Sequence, residues 1–247
     1  MKPTDIAQPD YFHKVVDCQW ACPAHTPVPE YIRLIAQGRY DDAYLVNWKS
    51  NVFPGILGRT CDRPCEPACR RVRVEEGSPE HRKAHAKPEA VAICRLKRAA
   101  ADYKGDIRSR LPTPAAKGNG KRVALVGAGP ASLTVARDLA PQGYHCVVFD
   151  GDPKAGGMMR TQIPKFRLPD RVIDEECGYV LDLGVEFRAG TRVDSMASLL
   201  ADGYDAVFVG SGAPRGRDLD IPGRAEAAKR IHIGIDWLAS VSFGHTT

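Results

Sequence analysis

The chain has no run of roughly eighteen consecutive apolar residues, so no helix in it is expected to span a membrane. Its opening stretch, MKPTDIAQPDYFHKVVD, lacks an apolar core followed by a small-residue cleavage site, and no secretory leader is expected. Excess charge of one sign is also scarce. Lys and Arg number 35 against 30 Asp and Glu, a formal net charge of +5. The basic run Arg70, Arg71 and Arg73 is interrupted by Glu75 and Glu76. This balance excludes the footprint of a nucleic-acid-binding surface and reads as a solvated face, with docking of an acidic electron carrier as the alternative.

Cysteine, by contrast, is plentiful. Six of the 8 cysteines (Cys18, Cys22, Cys61, Cys65, Cys69 and Cys94) lie in the first part of the chain. The string CDRPCEPAC, residues 61–69, sets three thiols at even intervals. With no leader the expected compartment is the cytoplasm, where thiols stay reduced and clustered cysteines favour metal over disulfide.

A length of 247 residues allows one large or two modest domains, and 43% hydrophobic with 26% charged residues is ordinary for a folded protein. Residues 1–103 form the cysteine-rich region. Three helices are expected there. In PVPEYIRLIAQG, Pro29 and Glu30 suit the first turn, Gly38 suits the stop, and Val28, Tyr31, Ile32 and Ile35 recur at helical spacing. DDAYLVNW is the second helix, and PEAVAICRLKRAAADY the third, carrying Cys94. The other thiols fall on loops flanking this scaffold, which has few large apolar residues and is marginal unless a metal ties the loops together. Residues 104–121, KGDIRSRLPTPAAKGNGK, have no apolar period and read as a linker. Across 122–247 apolar runs alternate with helical stretches, the signature of a parallel α/β unit.

Two metals suit these thiols. Zinc takes a closed tetrahedron from two cysteine pairs, and Cys18 with Cys22 and Cys61 with Cys65 would supply one. A cubane takes thiolates from separate approaches, which suits Cys61, Cys65 and Cys69 with a fourth at a distance. Pro23 after Cys22 also matches the Cys-Pro ending of bacterial cluster loops. The iron–sulfur assignment is preferred and zinc stays open. His25, His81 and His85 have no partner spacing and read as surface residues.

The strongest motif is KRVALVGAGPASLTVARDLAPQGYHCVVFD. A strand over Val123 to Val126 runs into Gly127-Ala128-Gly129, then an amphipathic helix, then a strand over Cys146 to Phe149. Gly127 permits the tight turn, and Gly129 lets a pyrophosphate approach the helix N-terminus. Ser132 replaces the third glycine. Asp150 ends the second strand, where a carboxylate binds ribose hydroxyls. This is a dinucleotide fingerprint. Downstream, Gly156 and Gly157 allow close backbone approach, and Arg160 and Arg167 are candidate partners of a phosphate. Cys146 and Cys177 read as buried core thiols.

Three stretches together, DCQWACPAHTPVPEYIRLIAQGRYDDAY, FPGILGRTCDRPCEPACRR and AVAICRLKR, resemble the N-terminal iron–sulfur domain of the glutamate synthase small subunit and dihydropyrimidine dehydrogenase family. GAGPAS and the segment DPKAGGMMRTQIPKFRLP resemble the flavin-binding part of the same family. The resemblance implies a small α-helical iron–sulfur domain followed by an incomplete α/β Rossmann-like FAD-binding domain. It implies FAD contacts at Gly127, Ala128, Gly129, Pro130, Ala131 and Ser132, from Asp150 to Met158, and at Arg167, Val193 and Thr60. Gly210-Ser211-Gly212 matches the family's turn that closes over the dinucleotide.

For the metal, the resemblance implies two [4Fe–4S] clusters with interleaved ligands. One takes Cys22, Cys61, Cys65 and a residue of the third helix, a position that is Lys97 here, with Cys94 one turn away as the substitute thiolate. The other is left with Cys18 and Cys69, because Asp10 and His13 stand where the family has its two leading cysteines. Loss of that second cluster is preferred over its completion by Asp10 and His13. The chain carries no second glycine fingerprint, so the family's NAD(P)H domain and the rest of its FAD domain are expected from a partner chain or from a longer product. The function implied is an electron-transfer component that passes electrons between NAD(P)H, FAD and a [4Fe–4S] cluster to or from a partner redox subunit or ferredoxin. No acid–base catalyst is assigned. The alternative is a non-catalytic structural or assembly subunit with zinc-bound cysteines and an empty dinucleotide fold.

Overall fold

The computed structural model describes residues 16–72 and 89–245, so Asp10, His13, Arg73, Glu75, Glu76, His81 and His85 lie outside the described residues. The chain divides into two compact units, Met1–Ile107 and Arg108–Thr247.

The first unit is helical. Its described α-helices are α1 (Asp17–Ala21), α2 (Val28–Ala36), α3 (Tyr40–Asn51), α4 (Pro54–Thr60) and α5 (Ile93–Tyr103). Gly38 follows α2 in the left-handed conformation that its lack of a side chain permits. The apolar stripe of α2 buries Val28, Tyr31 and Leu34 against Ala43 of α3 and against Ile93, Cys94 and Ala100 of α5. The Tyr31 hydroxyl donates to the carbonyl of Ile93 across 3.2 Å, which fixes the start of α5 against α2.

Helix α4 was not expected from the sequence, because FPGILGRT has two glycines and too few residues to show a period. Packing accounts for it. Gly58 lies against α5 so closely that a Cβ there would come within 2.7 Å of the Arg98 amide nitrogen. Arg59 of α4 is buried and pairs with Asp102 of α5 at 2.6 Å while also donating to the Gly55 carbonyl. Removing Asp102 would strand a buried guanidinium, at a cost near the lower end of ~3–5 kcal/mol because the carboxylate is partly exposed.

The second unit contains a four-stranded parallel sheet in the order β3-β2-β1-β4. Its strands are β1 (Arg122–Val126), β2 (His145–Phe149), β3 (Glu186–Arg188) and β4 (Ala206–Val209). Val123 pairs with Cys146 on one side and with Ala206 on the other. The helices are α6 (Pro130–Leu139), α7 (Met158–Thr161), α8 (Asp170–Leu181), α9 (Met196–Ala201) and α10 (Gly234–Ser242). The expected parallel α/β unit is therefore present, with β3 added as a short edge strand.

Continuous apolar runs in β1 and β2 reflect burial on both faces of the sheet. On one face Ala124, Val126, Val147, Phe149, Leu199 and Tyr204 form a core. Within 104–121, Ile107 and Leu111 are buried, and the Asn119 amide donates to the Gly143 carbonyl. No helix among the described residues is long and apolar enough to cross a membrane.

Candidate functional site: a thiol cluster and a glycine cradle

In the first unit the thiols come from three segments. Cys18 lies in α1 and Cys22 just after it; Cys61 follows α4; Cys65 and Cys69 sit in the turns beyond; Cys94 opens α5. Cys22, Cys61, Cys65 and Cys94 share one neighbourhood. Hydrogen bonding from Cys94 holds the Cys65 thiol below its usual range, and the positive charge of Lys97 adds to this. The same contact, followed by burial, drives Cys94 far above its usual range. The two shifts describe one contact, between the Cys65 and Cys94 side chains. Cys65 also feels the charges of Cys61 and Cys22. Burial raises Cys61, against an amide bond from Arg63.

Cys18 packs against the same core as Cys61, Cys65 and Cys94, and it also adjoins Cys69. Burial raises its pKa, and the next cause is the adjacent Cys69. An ion pair between Asp17 and Arg70 at 3.0 Å joins the flanks of these two cysteines.

The surroundings of the thiols were not legible in their spacing. The Cys22 sulfur lies 3.5 Å from the hydroxyl of Thr26, which also accepts from Ser50 and Asn51 of α3. Arg63 takes a left-handed conformation, and its N–H reaches the Cys61 sulfur at 3.4 Å. Glu66, between Cys65 and Cys69, accepts from the Cys94 amide at 3.0 Å. Lys97 is buried on α5. Thr26 and Glu66 sit within a few residues of cysteines, but only the fold shows them facing inward.

Among the described residues, no three His, Cys, Asp or Glu side chains converge as a single ion requires. The donor set is instead four sulfurs approaching from three directions, with an amide and hydroxyls around them. That chemistry fits an iron–sulfur cubane, whose corners are separate and whose sulfurs accept N–H bonds.

In the second unit the glycine fingerprint closes a turn between β1 and α6. Gly127 has φ +92°, and a Cβ there would stand 2.6 Å from the Gly210 carbonyl oxygen. Gly210 in turn leaves no room for a side chain, because the fully buried Ser132 hydroxyl fills that place. Ser132 thus lets α6 approach the end of β4. At Gly129 a Cβ would meet nothing within 4 Å. This open space lies before the first turn of α6, whose leading N–H groups lack intrahelical acceptors, so the cradle fits a phosphate group. Pro130 and Ala131 are exposed at the same turn.

Asp150, after β2, has both carboxylate oxygens on backbone amides: Oδ2 accepts from Ala128 and Oδ1 from Asp152. The segment after it folds back over the fingerprint. Gly156 donates to the Ala128 carbonyl, and Gly157, at φ +51°, lies against Gly129 where a Cβ would come within 2.8 Å. The close approach permitted by these two glycines is therefore partly an approach to the neighbouring glycine loop.

Arg160 is buried, with its guanidinium donating to the Ala155 carbonyl and pairing with Asp174 at 2.6 Å and Asp170 at 3.6 Å. It acts as a strut under the loop. Met158 and Arg167 are exposed, and Val193 packs against the sheet core. Thr60, in the first unit, donates to the Ile56 carbonyl within its own helix. Ser211 and Gly212 follow β4 in exposed positions.

Neighbouring thiols in a helical unit and a glycine turn in a Rossmann-like unit define a two-module chain. Residues 12–108 match the family described as dihydropyrimidine dehydrogenase domain II, 4Fe-4S cluster, and residues 125–201 match the NAD(P)-binding Rossmann-like domain family. These two domains occur here in the order iron–sulfur then Rossmann-like, and the chain is similar over most of its length to subunits of redox enzymes. It is 32% identical over 254 residues to the NADPH-Fe(3+) oxidoreductase subunit beta of Geobacter sulfurreducens, covering 99% of this chain and 36% of that protein. It is 33% identical to the NADP(+)-dependent formate dehydrogenase subunit beta of Moorella thermoacetica, covering 91% of this chain and 33% of that protein. Against the glutamate synthase [NADPH] small chain of Escherichia coli it is 34% identical, covering 79% of this chain and 39% of that protein. The chain thus spans well under half the length of these relatives.

Proposed function

We propose that the chain is the iron–sulfur and flavin part of an NAD(P)H-dependent oxidoreductase that exchanges electrons with a partner redox subunit or ferredoxin. The observation that carries this reading is the shared neighbourhood of Cys22, Cys61, Cys65 and Cys94. These four thiolates hold one [4Fe–4S] cluster. Cys18 and Cys69 adjoin one another and do not complete a second one.

The Rossmann-like unit takes FAD. Gly127 and Gly129 would admit the pyrophosphate, the first turn of α6 would donate amides to it, and Asp150, at the end of β2, would serve the ribose. Gly156 and Gly157 lie against the glycine turn, with Arg160 holding the Ala155 carbonyl next to them, and Gly210 and Ser211 back onto Gly127. When bound, FAD accepts a hydride and releases electrons singly, while the cluster carries one electron at a time. The protein's part is positional: the four cysteines would hold the cluster, with the Arg63 amide beside the Cys61 sulfur and the Thr26 hydroxyl beside that of Cys22, and packing buries Cys65 and Cys94. No residue of this chain need transfer a proton. The nicotinamide site is supplied by sequence outside these residues, since they hold one glycine fingerprint only.

Anaerobic purification followed by iron, sulfide, zinc, FAD and NADPH assays on one sample tests this. About four irons and four sulfides per chain with one FAD are expected. Stoichiometric zinc without sulfide, or retained NADPH in place of FAD, would overturn it.

A further inference from the structure

The helix that carries Cys94 also carries a buried lysine. Lys97 is 4% exposed and lies one turn beyond Cys94 on α5. Burying an ammonium away from water is costly unless an anion compensates it. The carboxylate that α5 itself offers, Asp102, is already held by Arg59 and Arg98, and Glu66 is engaged by the Cys94 amide. Among the described residues no carboxylate pairs with Lys97. What its helix face meets is sulfur: Ile93, Cys94, Lys97 and Ala100 are buried positions of α5, and the core against that face contains Cys65 and Cys94 with Cys61 packed on it. A buried lysine with no carboxylate partner among the described residues, on a helix face that packs against thiols, is accounted for once the sulfurs carry negative charge.

We infer that Lys97 is a fixed counter-charge to the thiolate-held cluster, a positioning residue that stabilises its reduced form. The inference rests on the cluster reading above. A one-electron reductant, the reduced flavin in the protein or dithionite in a titration, adds one negative charge to the cluster. No bond forms or breaks, and Lys97 neither gains nor loses a proton. The added charge falls within the field of a buried cation, where low polarity strengthens attraction, so reduction is easier with Lys97 than without it.

The test is a potentiometric titration of the full chain, followed by electron paramagnetic resonance, for wild type, Lys97→Met and Lys97→Arg. Methionine keeps the length and apolar stem but removes the charge; arginine keeps the charge. With iron and sulfide content unchanged, Lys97→Met is expected to titrate at a more negative potential by at least about tenfold in the one-electron equilibrium, ~59 mV, and Lys97→Arg to stay near wild type. Loss of the cluster in Lys97→Met with its retention in Lys97→Arg would equally support a requirement for charge. A fully loaded Lys97→Met chain at the wild-type potential would overturn the inference, as would loss of the cluster in both variants. Only a wild-type chain that takes up no iron and sulfide would overturn the cluster reading along with it.

Discussion

The backbone N–H of Cys94 donates to Oε1 of Glu66 across 3.0 Å. This single bond ties the helix that presents one thiol to the loop that presents Cys61, Cys65 and Cys69. It is a local acceptor for an amide at a helix N-terminus and a long-range clamp at once. Glu66→Ala is expected to destabilise the first unit by about 1–3 kcal/mol, because a partly buried amide is left unpaired. Glu66→Gln keeps a carbonyl acceptor and should stay near wild type. Denaturant midpoints read alongside iron retained after gel filtration check both; equal behaviour of the two variants would refute the clamp.

Gly58 sets how closely α4 approaches α5. A Cβ there meets the backbone of Arg98, which cannot yield as a side-chain tip can. Gly58→Ala is expected to cost about 1–3 kcal/mol by overpacking and to loosen Cys61 relative to Cys94. Its signature is loss of stability together with loss of bound iron. Unchanged values of both would show that the helices part without consequence.

Gly127 is held at φ +92° with the Gly210 carbonyl oxygen where a Cβ would stand. Gly127→Ala therefore combines left-handed strain of roughly 1–2 kcal/mol with a collision at the fingerprint turn. Fluorescence titration with FAD should show binding weakened at least tenfold. Gly129→Ala provides the contrast, since its Cβ enters open space. It should leave folding intact and weaken FAD alone.

Two buried thiols give the second unit an alkaline limit. Burial pushes Cys146 up to about 11 and Cys177 up to about 12, from a reference value of 9.0. A thiol with a raised folded pKa binds its proton more tightly when folded. Its contribution is fully present below pH 9 and is lost as pH rises through the folded value. The stability difference between wild type and Cys146→Ala should therefore be constant up to about pH 9 and shrink between 9 and 11. Urea unfolding across that range measures it, and a difference that grows with pH would contradict the burial argument.

Much of the fold was legible because its signals are local. The apolar spacing of Val28, Tyr31 and Ile35, closed by Gly38, marks a helix that the structure contains as Val28–Ala36. The runs at Val123–Val126 and Cys146–Phe149 mark strands that pair in parallel, residue opposite residue. Helix α4 escaped, since its glycines conceal helical character that only contact with α5 stabilises. Strand β3, three residues long, escaped because a segment that short carries no period.

By itself the sequence determined the parts: helices and strands from periodicity, a tight turn from Gly127, and a supply of thiols from cysteine spacing. These follow from neighbours within a few positions, where backbone geometry and side-chain size act directly. Tertiary structure decided which parts face one another. It set Cys22, Cys61, Cys65 and Cys94 together and Cys18 beside Cys69, turned Lys97 inward, and laid Gly157 on Gly129. Each of these depends on contacts between residues far apart in the chain, and such contacts exist only after apolar burial has brought their elements together.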